Sequence, residues 1–323
     1  MSKLRVAVIG IGYLGEFHAE KYKNNKNADL IGVVDTDEKR CQKISKKFNT
    51  QSFNKYQDII NDVDAVSIVV PTNLHYKIAK FFIEHKKHVL IEKPFATNVL
   101  QAKKLRDISK KNNTILQVGH LERFNKAFIG LKDKIKKPLF IECNRISPYK
   151  LRGTEVDVIK DLMIHDLDLI ISLNNSRVKN IQANGINVLT NKIDIANARI
   201  TFDNGCVCNL SSSRISDKVE RKMRVFQKNS YFSLDFQKFV LDSYKKLTIN
   251  NKKIIKKEQI KFSKNDSLKD EIQSFIHCIN NNKKPIVTSL DGINALEYAI
   301  KISKLIKNDS TIWLKKRIFF IRE

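Results

Sequence analysis

Three of the ten glycines in this 323-residue chain fall within six residues, as Gly10, Gly12 and Gly15. The apolar run over residues 4–9 precedes them and predicts a buried strand, and a helical pattern over residues 14–24 follows. Glycines in a strand-to-helix turn permit a tight bend and let a pyrophosphate approach the N-terminus of the helix. The spacing therefore predicts a dinucleotide site and constrains the fold around it.

An acidic residue stands where such a site needs one. Asp35 ends the second predicted strand, twenty residues after Gly15, and can accept hydrogen bonds from the hydroxyls of an adenosine ribose. Its charge would repel a 2′-phosphate, so the sequence predicts NAD as the cofactor and disfavours NADP. The nearby Lys39 and Arg40 could soften that repulsion.

Strands and helices alternate through the first 119 residues. Apolar strands separated by helical segments are typical of a parallel sheet with helices on both faces, so we predict a doubly wound Rossmann domain over residues 1–119 that binds NAD. The predicted strands cover residues 4–9, 30–34, 65–70, 88–91 and 115–118, and the predicted helices cover residues 14–24, 38–47, 56–61, 73–84 and 100–111.

Beyond residue 119 the strands become longer and alternate polar with apolar side chains. This pattern predicts a sheet with one free face, and hence an α+β domain over residues 120–323 with a large mixed or antiparallel sheet. The predicted strands cover residues 140–145, 195–202, 206–212 and 224–227, and the predicted helices cover residues 156–173, 268–280 and 292–306. The fold class is therefore α/β with this second domain, which we expect to bind substrate and to form oligomers.

Composition argues against several classes of protein. Lys and Arg number 60 against 34 Asp and Glu, a net charge of +26, but the lysines are spread evenly and no basic run is interleaved with aromatic residues. We therefore predict no nucleic-acid partner. No apolar run reaches the ~18 residues of a membrane-spanning helix, so we expect no membrane insertion. The five cysteines form no CxxC pair and the N-terminal apolar run lacks a cleavage site, which favours a cytoplasmic location.

A lysine follows the strand that is predicted to end at Ile91. Glu92, Lys93 and Pro94 stand at the carboxyl end of that strand, the edge at which open α/β sheets bind ligands. Pro94 donates no backbone hydrogen bond and biases Lys93 away from helix, which fixes how the strand ends. We therefore predict that Lys93 lies beside the nicotinamide end of the cofactor.

A stripe of acidic and imidazole side chains lies on the predicted helix over residues 156–173. Asp157, Asp161, His165 and Asp168 are spaced by four, four and three residues, which places them on one helical face. Most other positions of the helix are apolar, so the stripe is predicted to line a cavity. A capping and salt-bridge stripe, or a metal site with a further ligand, are the alternatives that the spacing leaves open.

Four segments in this order, GIGYLG, VVPTNLH, HVLIEKP and DLMIHDLD, resemble the Gfo/Idh/MocA family of nicotinamide-dependent oxidoreductases. The resemblance spans essentially the chain up to Leu314 and implies homodimers or homotetramers that form through the open sheet. It implies that Lys93, Asp161 and His165 are catalytic, with His165 or Lys93 as the base. With the glycine turn, the cofactor-binding residues are then predicted to be Gly10, Gly12, Tyr13, Leu14, Gly15, Asp35, Thr72, Asn73, His75, Glu92 and Lys93.

A narrower resemblance comes from VGHLERFN and from residues 145–170 and 211–237. These segments are similar to family members that oxidise the C3 hydroxyl of UDP-N-acetylglucosamine to a keto sugar, which an aminotransferase then converts for lipid A biosynthesis. Arginine suits a diphosphate through its forked donors. Lys126 stands where this resemblance leads us to expect proline. The predicted substrate-binding residues are Arg123, Tyr149, Lys150, Arg152, Asp168 and Arg214.

Other functions remain compatible with the same motifs. Within the family, the substrate could be inositol, a free sugar or a UDP-sugar acid, or the reaction could be a biliverdin-type reduction. A non-catalytic regulator that senses the cofactor belongs to a different class. Intact Lys93, Asp161 and His165 disfavour the regulator, because a sensor needs no acid–base residues.

Overall fold

The computed structural model describes residues 3–149, 156–174, 176–249 and 251–320, with side chains up to residue 308. The strands are β1 Leu4–Ile9, β2 Ala28–Val34, β3 Gln51–Phe53, β4 Ala65–Ile68, β5 His88–Glu92, β6 Leu116–Gly119, β7 Pro138–Ile146, β8 Val178–Ile186, β9 Ile195–Phe202, β10 Val207–Ser213, β11 Glu220–Gln227, β12 Ser230–Asp235, β13 Val240–Ile249 and β14 Lys252–Lys261. The helices are α1 Tyr13–Lys23, α2 Glu38–Phe48, α3 Thr72–Glu84, α4 Val99–Lys111, α5 Lys126–Lys132, α6 Ile164–Leu173, α7 Ser267–Asn280 and α8 Ser289–Phe320, with a short 3₁₀ helix at Leu121–Phe124 and a π-helix at Ile159–Met163.

Contacts divide the chain into two units. The first unit comprises Met1–Phe124 and Asp266–Leu296, and the second comprises Asn125–Asn265 and Glu297–Glu323. The sequence prediction placed its single boundary at residue 119. Helix α7 belongs to the first unit because Ile272 and Phe275 are buried in the same apolar cluster as β1 and α1.

The first unit is built on a six-stranded parallel sheet in the order β3-β2-β1-β4-β5-β6. Side chains of β1 such as Val6 and Val8 are fully buried, as expected for a strand with helices on both faces. Helix α2 begins at Asp37, whose carboxylate accepts a hydrogen bond from the Arg40 backbone N–H at 3.0 Å. The predicted Rossmann architecture is confirmed, because β1 and β4 are neighbours although two strands lie between them in sequence.

The second unit is built on an eight-stranded sheet in the order β14-β13-β12-β11-β7-β10-β9-β8. In the part of this sheet that the structure describes, β7 and β10 are the only parallel pair, so the predicted mixed sheet is confirmed. Ile141 and Cys143 are buried, whereas Glu142 and Asn144 between and beside them are half-buried. Successive strand residues point to opposite faces, so one face of this sheet is packed and the other is open.

The structure corrects several predicted elements. Residues 56–62 form turns rather than the predicted helix, and the helix predicted over residues 156–173 is instead a π-helix followed by α6. The sequence also missed β3, β8 and the three strands β12 to β14, because β14 in particular alternates little between polar and apolar residues. Within the described residues, no helix has both the length and the apolar character needed to cross a membrane.

Candidate functional site

The glycine turn between β1 and α1 has the shape of a pyrophosphate cradle. Gly10 has φ +90°, and a Cβ there would lie 2.5 Å from the Val69 carbonyl oxygen. A Cβ at Gly15 would lie 1.9 Å from the Gly10 carbonyl oxygen, so both positions require glycine. Among the described residues, no atom lies within 4 Å of the corresponding position at Gly12, and no side chain caps the start of α1. The open space and the uncapped N–H groups fit a bound phosphate.

Asp35 connects the end of β2 to this turn. Its Oδ2 accepts a hydrogen bond from the Ile11 backbone N–H at 2.8 Å, and its Oδ1 accepts one from the Asp37 N–H at 2.9 Å. The Arg40 guanidinium lies 3.2 Å from the same Oδ1. It can therefore offset part of the Asp35 charge and weaken the repulsion of a 2′-phosphate. Lys39 is exposed. These contacts leave the Asp35 carboxylate one acceptor site, on Oδ2, for a ribose hydroxyl of a dinucleotide.

The turns after β4 and β5 lie side by side at the carboxyl edge of the sheet. Thr72 and Asn73 begin α3, and Asn73 is exposed. His75 is buried, with Nδ1 2.9 Å from the Pro94 carbonyl oxygen and Nε2 2.8 Å from the Val70 carbonyl oxygen. Burial lowers the pKa of the His75 ring, and the two carbonyl contacts offset only part of that effect.

Lys93 follows a buried carboxylate. The peptide bond to Pro94 is cis, and the Lys93 backbone N–H donates to Glu92 Oε2 at 3.2 Å. Glu92 Oε1 lies 3.2 Å from His18 Nε2, with both side chains buried. Burial raises the pKa of the Glu92 carboxyl, but the His18 contact and the Lys93 charge outweigh it, so this pKa lies below its ordinary value. The sequence analysis missed His18, although a lone histidine on the buried face of α1 was a readable signal.

The predicted stripe of the second unit spans two kinds of helix. Asp161 lies in the π-helix and His165 in the first turn of α6, and both side chains are half-buried. Asp157 is buried and accepts a hydrogen bond from the Lys160 backbone N–H at 2.9 Å, so it acts as a helix cap. Asp168 is also buried. A π-helix is rare and is frequently found at functional sites, which agrees with a site at Asp161.

Two buried ion pairs hold this helix, and the sequence analysis missed both. Arg145 donates to both oxygens of Asp166, with N···O distances of 2.8–3.1 Å, and its guanidinium lies 5.7 Å from the centre of the Phe236 ring. Arg214 donates to the Val156 carbonyl oxygen at 2.6 Å and lies 3.6 Å from Asp194. The predicted substrate residue Arg214 therefore supports the chain that leads into the π-helix.

The remaining predicted substrate residues lie in different surroundings. Arg123 belongs to the first unit, where its buried guanidinium lies 3.4 Å from Asp291 Oδ1. Tyr149 is 38% exposed. Lys150 and Arg152 lie outside the described residues. Among the residues that are described, no group of three metal-binding side chains comes together.

Known proteins resemble this chain over nearly its full length. The model of the Gfo/Idh/MocA family, an oxidoreductase family with an NAD-binding Rossmann fold, matches residues 4–120. The UDP-N-acetylglucosamine 3-dehydrogenase of Acidithiobacillus ferrooxidans is 33% identical over 305 residues, which are 94% of this chain and 97% of that protein. Its solved structure has a TM-score of 0.89 at 32% identity, covering 95% and 99% of the two chains.

More distant relatives share the same fold. The scyllo-inositol 2-dehydrogenase (NAD(+)) of Bacillus subtilis is 26% identical, over 97% of this chain and 96% of that protein. The structure of scyllo-inositol dehydrogenase from Lactobacillus casei with NAD(H) and scyllo-inositol has a TM-score of 0.80 at 18% identity, covering 95% and 98% of the chains. The glycine turn and Asp35 fit the NAD cofactor that the family model describes. This chain therefore belongs to the Gfo/Idh/MocA family of NAD-dependent oxidoreductases.

Proposed function

We propose that this chain oxidises the C3 hydroxyl of UDP-N-acetylglucosamine, or of a closely similar nucleotide sugar, and reduces NAD. The observation that carries the proposal is the 33% identity to the UDP-N-acetylglucosamine 3-dehydrogenase of A. ferrooxidans, which extends over 94% of the chain and so includes the second unit. Function is decided by the site and not by the fold, so a similarity that includes the second unit says more about the substrate than one confined to the Rossmann domain.

Oxidation of a ring hydroxyl requires a base for its proton. Bound NAD supplies the acceptor for the hydride that leaves the carbon. We assign the base to His165, because a neutral imidazole can accept a proton near neutral pH. Asp161, four residues earlier, orients the ring and stabilises its cation. Lys93 donates to the same oxygen and lowers the cost of its alkoxide character.

The diphosphate needs cationic donors. Arg123 and Arg214 both have carboxylate partners, Asp291 and Asp194, that already neutralise much of their charge. We therefore assign the diphosphate first to Arg152, with Tyr149 and Lys150 beside it in sequence. Asp168 is the remaining candidate for a hydrogen bond to a sugar hydroxyl.

Inositol is the second candidate substrate. It is favoured by relatives named for it, the Bacillus subtilis enzyme at 26% identity and the Thermotoga maritima myo-inositol 2-dehydrogenase at 25%. Inositol carries no diphosphate, so the two candidates make opposite predictions for the basic residues. A nucleotide-sugar enzyme requires Arg152, whereas an inositol enzyme does not.

A panel assay distinguishes the candidates. Purified protein and NAD are mixed with UDP-N-acetylglucosamine, other UDP-sugars, free N-acetylglucosamine and inositols, and NADH is followed at 340 nm. We expect NADH with UDP-N-acetylglucosamine, competition by UDP alone, and a raised KM in Arg152→Ala, since each lost charged hydrogen bond costs about 1.5–3 kcal/mol. Turnover of inositol without competition by UDP would overturn the proposal.

The cellular location, oligomeric state and pathway are proposed from the same similarity to the UDP-N-acetylglucosamine 3-dehydrogenase. We propose a cytoplasmic homodimer or homotetramer that binds no nucleic acid and does not insert into membranes, and whose keto-sugar product is the substrate of an aminotransferase in lipid A biosynthesis. The open face of the eight-stranded sheet supports an interface between copies, because its side chains are only half-buried in the single chain. Sedimentation equilibrium measures the oligomeric state, and a monomer at micromolar concentration would contradict this part.

A further inference from the structure

We propose that the buried imidazoles of His18 and His75 are positioning residues that hold the turn carrying Lys93 from two sides. The inference rests on the proposed function, which gives Lys93 a role at the reacting hydroxyl. All of the contacts that carry it lie within the first unit.

The sheet itself stops short of Lys93. The last paired residues of β4 and β5 are Ile68 and Ile91, so the backbone ladder between these strands no longer fixes the chains beyond them. Val70 and Lys93 both lie two residues past that pair. Another contact must therefore set the spacing between the two turns.

His75 provides that contact. Its ring lies between the Val70 and Pro94 carbonyl oxygens, at 2.8 and 2.9 Å, and its side chain is 1% exposed. Burial lowers the pKa of this ring and favours its neutral form, which has one N–H and donates to one of the two oxygens. Its other nitrogen contacts the second oxygen without a hydrogen bond, so one rigid side chain lies between the turn that begins α3 and the residue that follows Lys93.

His18 acts on the other side of Lys93, through Glu92. The Glu92 carboxylate accepts from the Lys93 backbone N–H and from His18, and it lies over Gly119, where a Cβ would be only 2.8 Å from Oε1. No partner lies within hydrogen-bond distance of His18 Nδ1 in the described part of the chain, so the tautomer with the proton on Nε2 fits best.

The two histidines come from helices that begin at the cofactor edge. His18 lies on α1, whose N-terminus is the glycine turn, and His75 lies on α3, whose first residues are Thr72 and Asn73. Both helices thus fix Lys93 relative to the residues that hold the dinucleotide. A displacement of about 1 Å in such a group can lower turnover about 100-fold, so the loss of either contact should be measurable in kcat.

The test replaces each ring by a somewhat larger aromatic ring that fills the same site but cannot form hydrogen bonds. His75→Phe and His18→Phe are expected to lower kcat about 10- to 100-fold with the sugar KM nearly unchanged. In His75→Gln, which retains one donor, we expect kcat to recover in part. His85→Gln, an exposed histidine at the end of the same helix α3, is the matched control and should leave kcat unchanged.

Two readouts separate positioning from a structural role. In a Lys93→Met background the same changes should alter the residual kcat less than about twofold, because a residue that acts through Lys93 has nothing left to position. In the protein without substrate, the acylation rate of the Lys93 amine is followed by mass spectrometry. This rate should differ from that of the wild type in both Phe variants and should equal it in His85→Gln. Additive effects on kcat together with unchanged Lys93 acylation would overturn the proposal.

The same experiments report on the proposed function separately. If Lys93→Met leaves turnover unchanged, the catalytic role of Lys93 fails. Changed acylation in the Phe variants would then still support the positioning contacts. If a Phe variant does not fold, His75→Gln carries the acylation comparison, and an unchanged rate there contradicts the proposal.

Discussion

Each unit places a buried carboxylate contact directly beside a proposed catalytic residue, but the two contacts differ in kind. In the first unit Glu92 precedes Lys93 and meets the His18 ring through one 3.2 Å contact. In the second, Asp166 follows His165 and meets Arg145 through three contacts of 2.8–3.1 Å. The first contact therefore depends on ionisation of the Glu92 carboxyl, whose pKa lies below its ordinary value. The second is a multiply hydrogen-bonded pair that depends on keeping the Arg145 guanidinium.

The largest expected effect is that of replacing His165, which precedes Asp166 of the Arg145–Asp166 pair. His165→Ala should lower kcat about 10²- to 10⁴-fold with NAD affinity little changed, the usual scale for a positioned acid–base group. It should also remove the loss of activity on the acid side, which arises as the ring becomes protonated. Steady-state kinetics from pH 5 to 9 checks both, with the exposed His277→Ala as the control. Near wild-type turnover would move the base to Lys93.

The next effect tests the buried Arg145–Asp166 pair itself. Arg145→Met leaves Asp166 buried without its cation, and such a loss destabilises a protein by about 3–5 kcal/mol. Urea unfolding measures the change. Arg224→Met breaks the half-exposed 3.4 Å pair with Glu142 and should cost less than about 1 kcal/mol. Equal losses in the two variants would show that burial does not distinguish these pairs.

A smaller effect tests the pH sensitivity of the first pair. The pKa of folded Glu92 lies below its ordinary value of 4.5, so its ionised form stabilises the fold above that pH. This stabilisation should disappear as the pH falls through the lower, folded pKa. Glu92→Gln should therefore be less stable than wild type at pH 7, with the gap closing towards pH 3. A gap that is constant from pH 7 to 3 would contradict the assigned direction.

The smallest effect concerns the cofactor edge alone. Asp35→Ser removes the charge that repels a 2′-phosphate and should narrow the preference for NAD over NADP by roughly tenfold or less. The effect is small because the half-exposed Arg40 already offsets part of the Asp35 charge. Arg40→Met removes the cation 3.2 Å from Asp35 and should widen the same preference. Fluorescence titration with both cofactors measures the ratios. Equal or tighter NADP binding by wild type would refute the role of Asp35.

Sequence reasoning succeeded where the signal is local. The turn of Gly10, Gly12 and Gly15 lies within six residues, and its geometry follows from the absence of Cβ atoms. The Rossmann architecture followed similarly, from apolar runs of four to six residues, and the mixed sheet followed from alternating polar and apolar strands.

It failed where partners are distant in sequence. His18 and Glu92 are 74 residues apart, and Arg145 and Asp166 are 21 apart on different elements, so only the folded chain shows that they meet. The π-helix before α6 was also beyond the sequence, because the 156–173 segment has the apolar periodicity of an ordinary helix. The catalytic assignments of Lys93, Asp161 and His165 stay predictions.

Isotope transfer tests whether the hydride that reduces NAD comes from C3 of UDP-N-acetylglucosamine. UDP-N-acetylglucosamine carrying deuterium at C3 is incubated with the protein and NAD, and the NADH that forms is examined by mass spectrometry. We predict that deuterium appears in the NADH and that substrates deuterated at C2 or C4 transfer none. Transfer from another carbon, or no reduction of NAD by this sugar while inositol is oxidised, would contradict it.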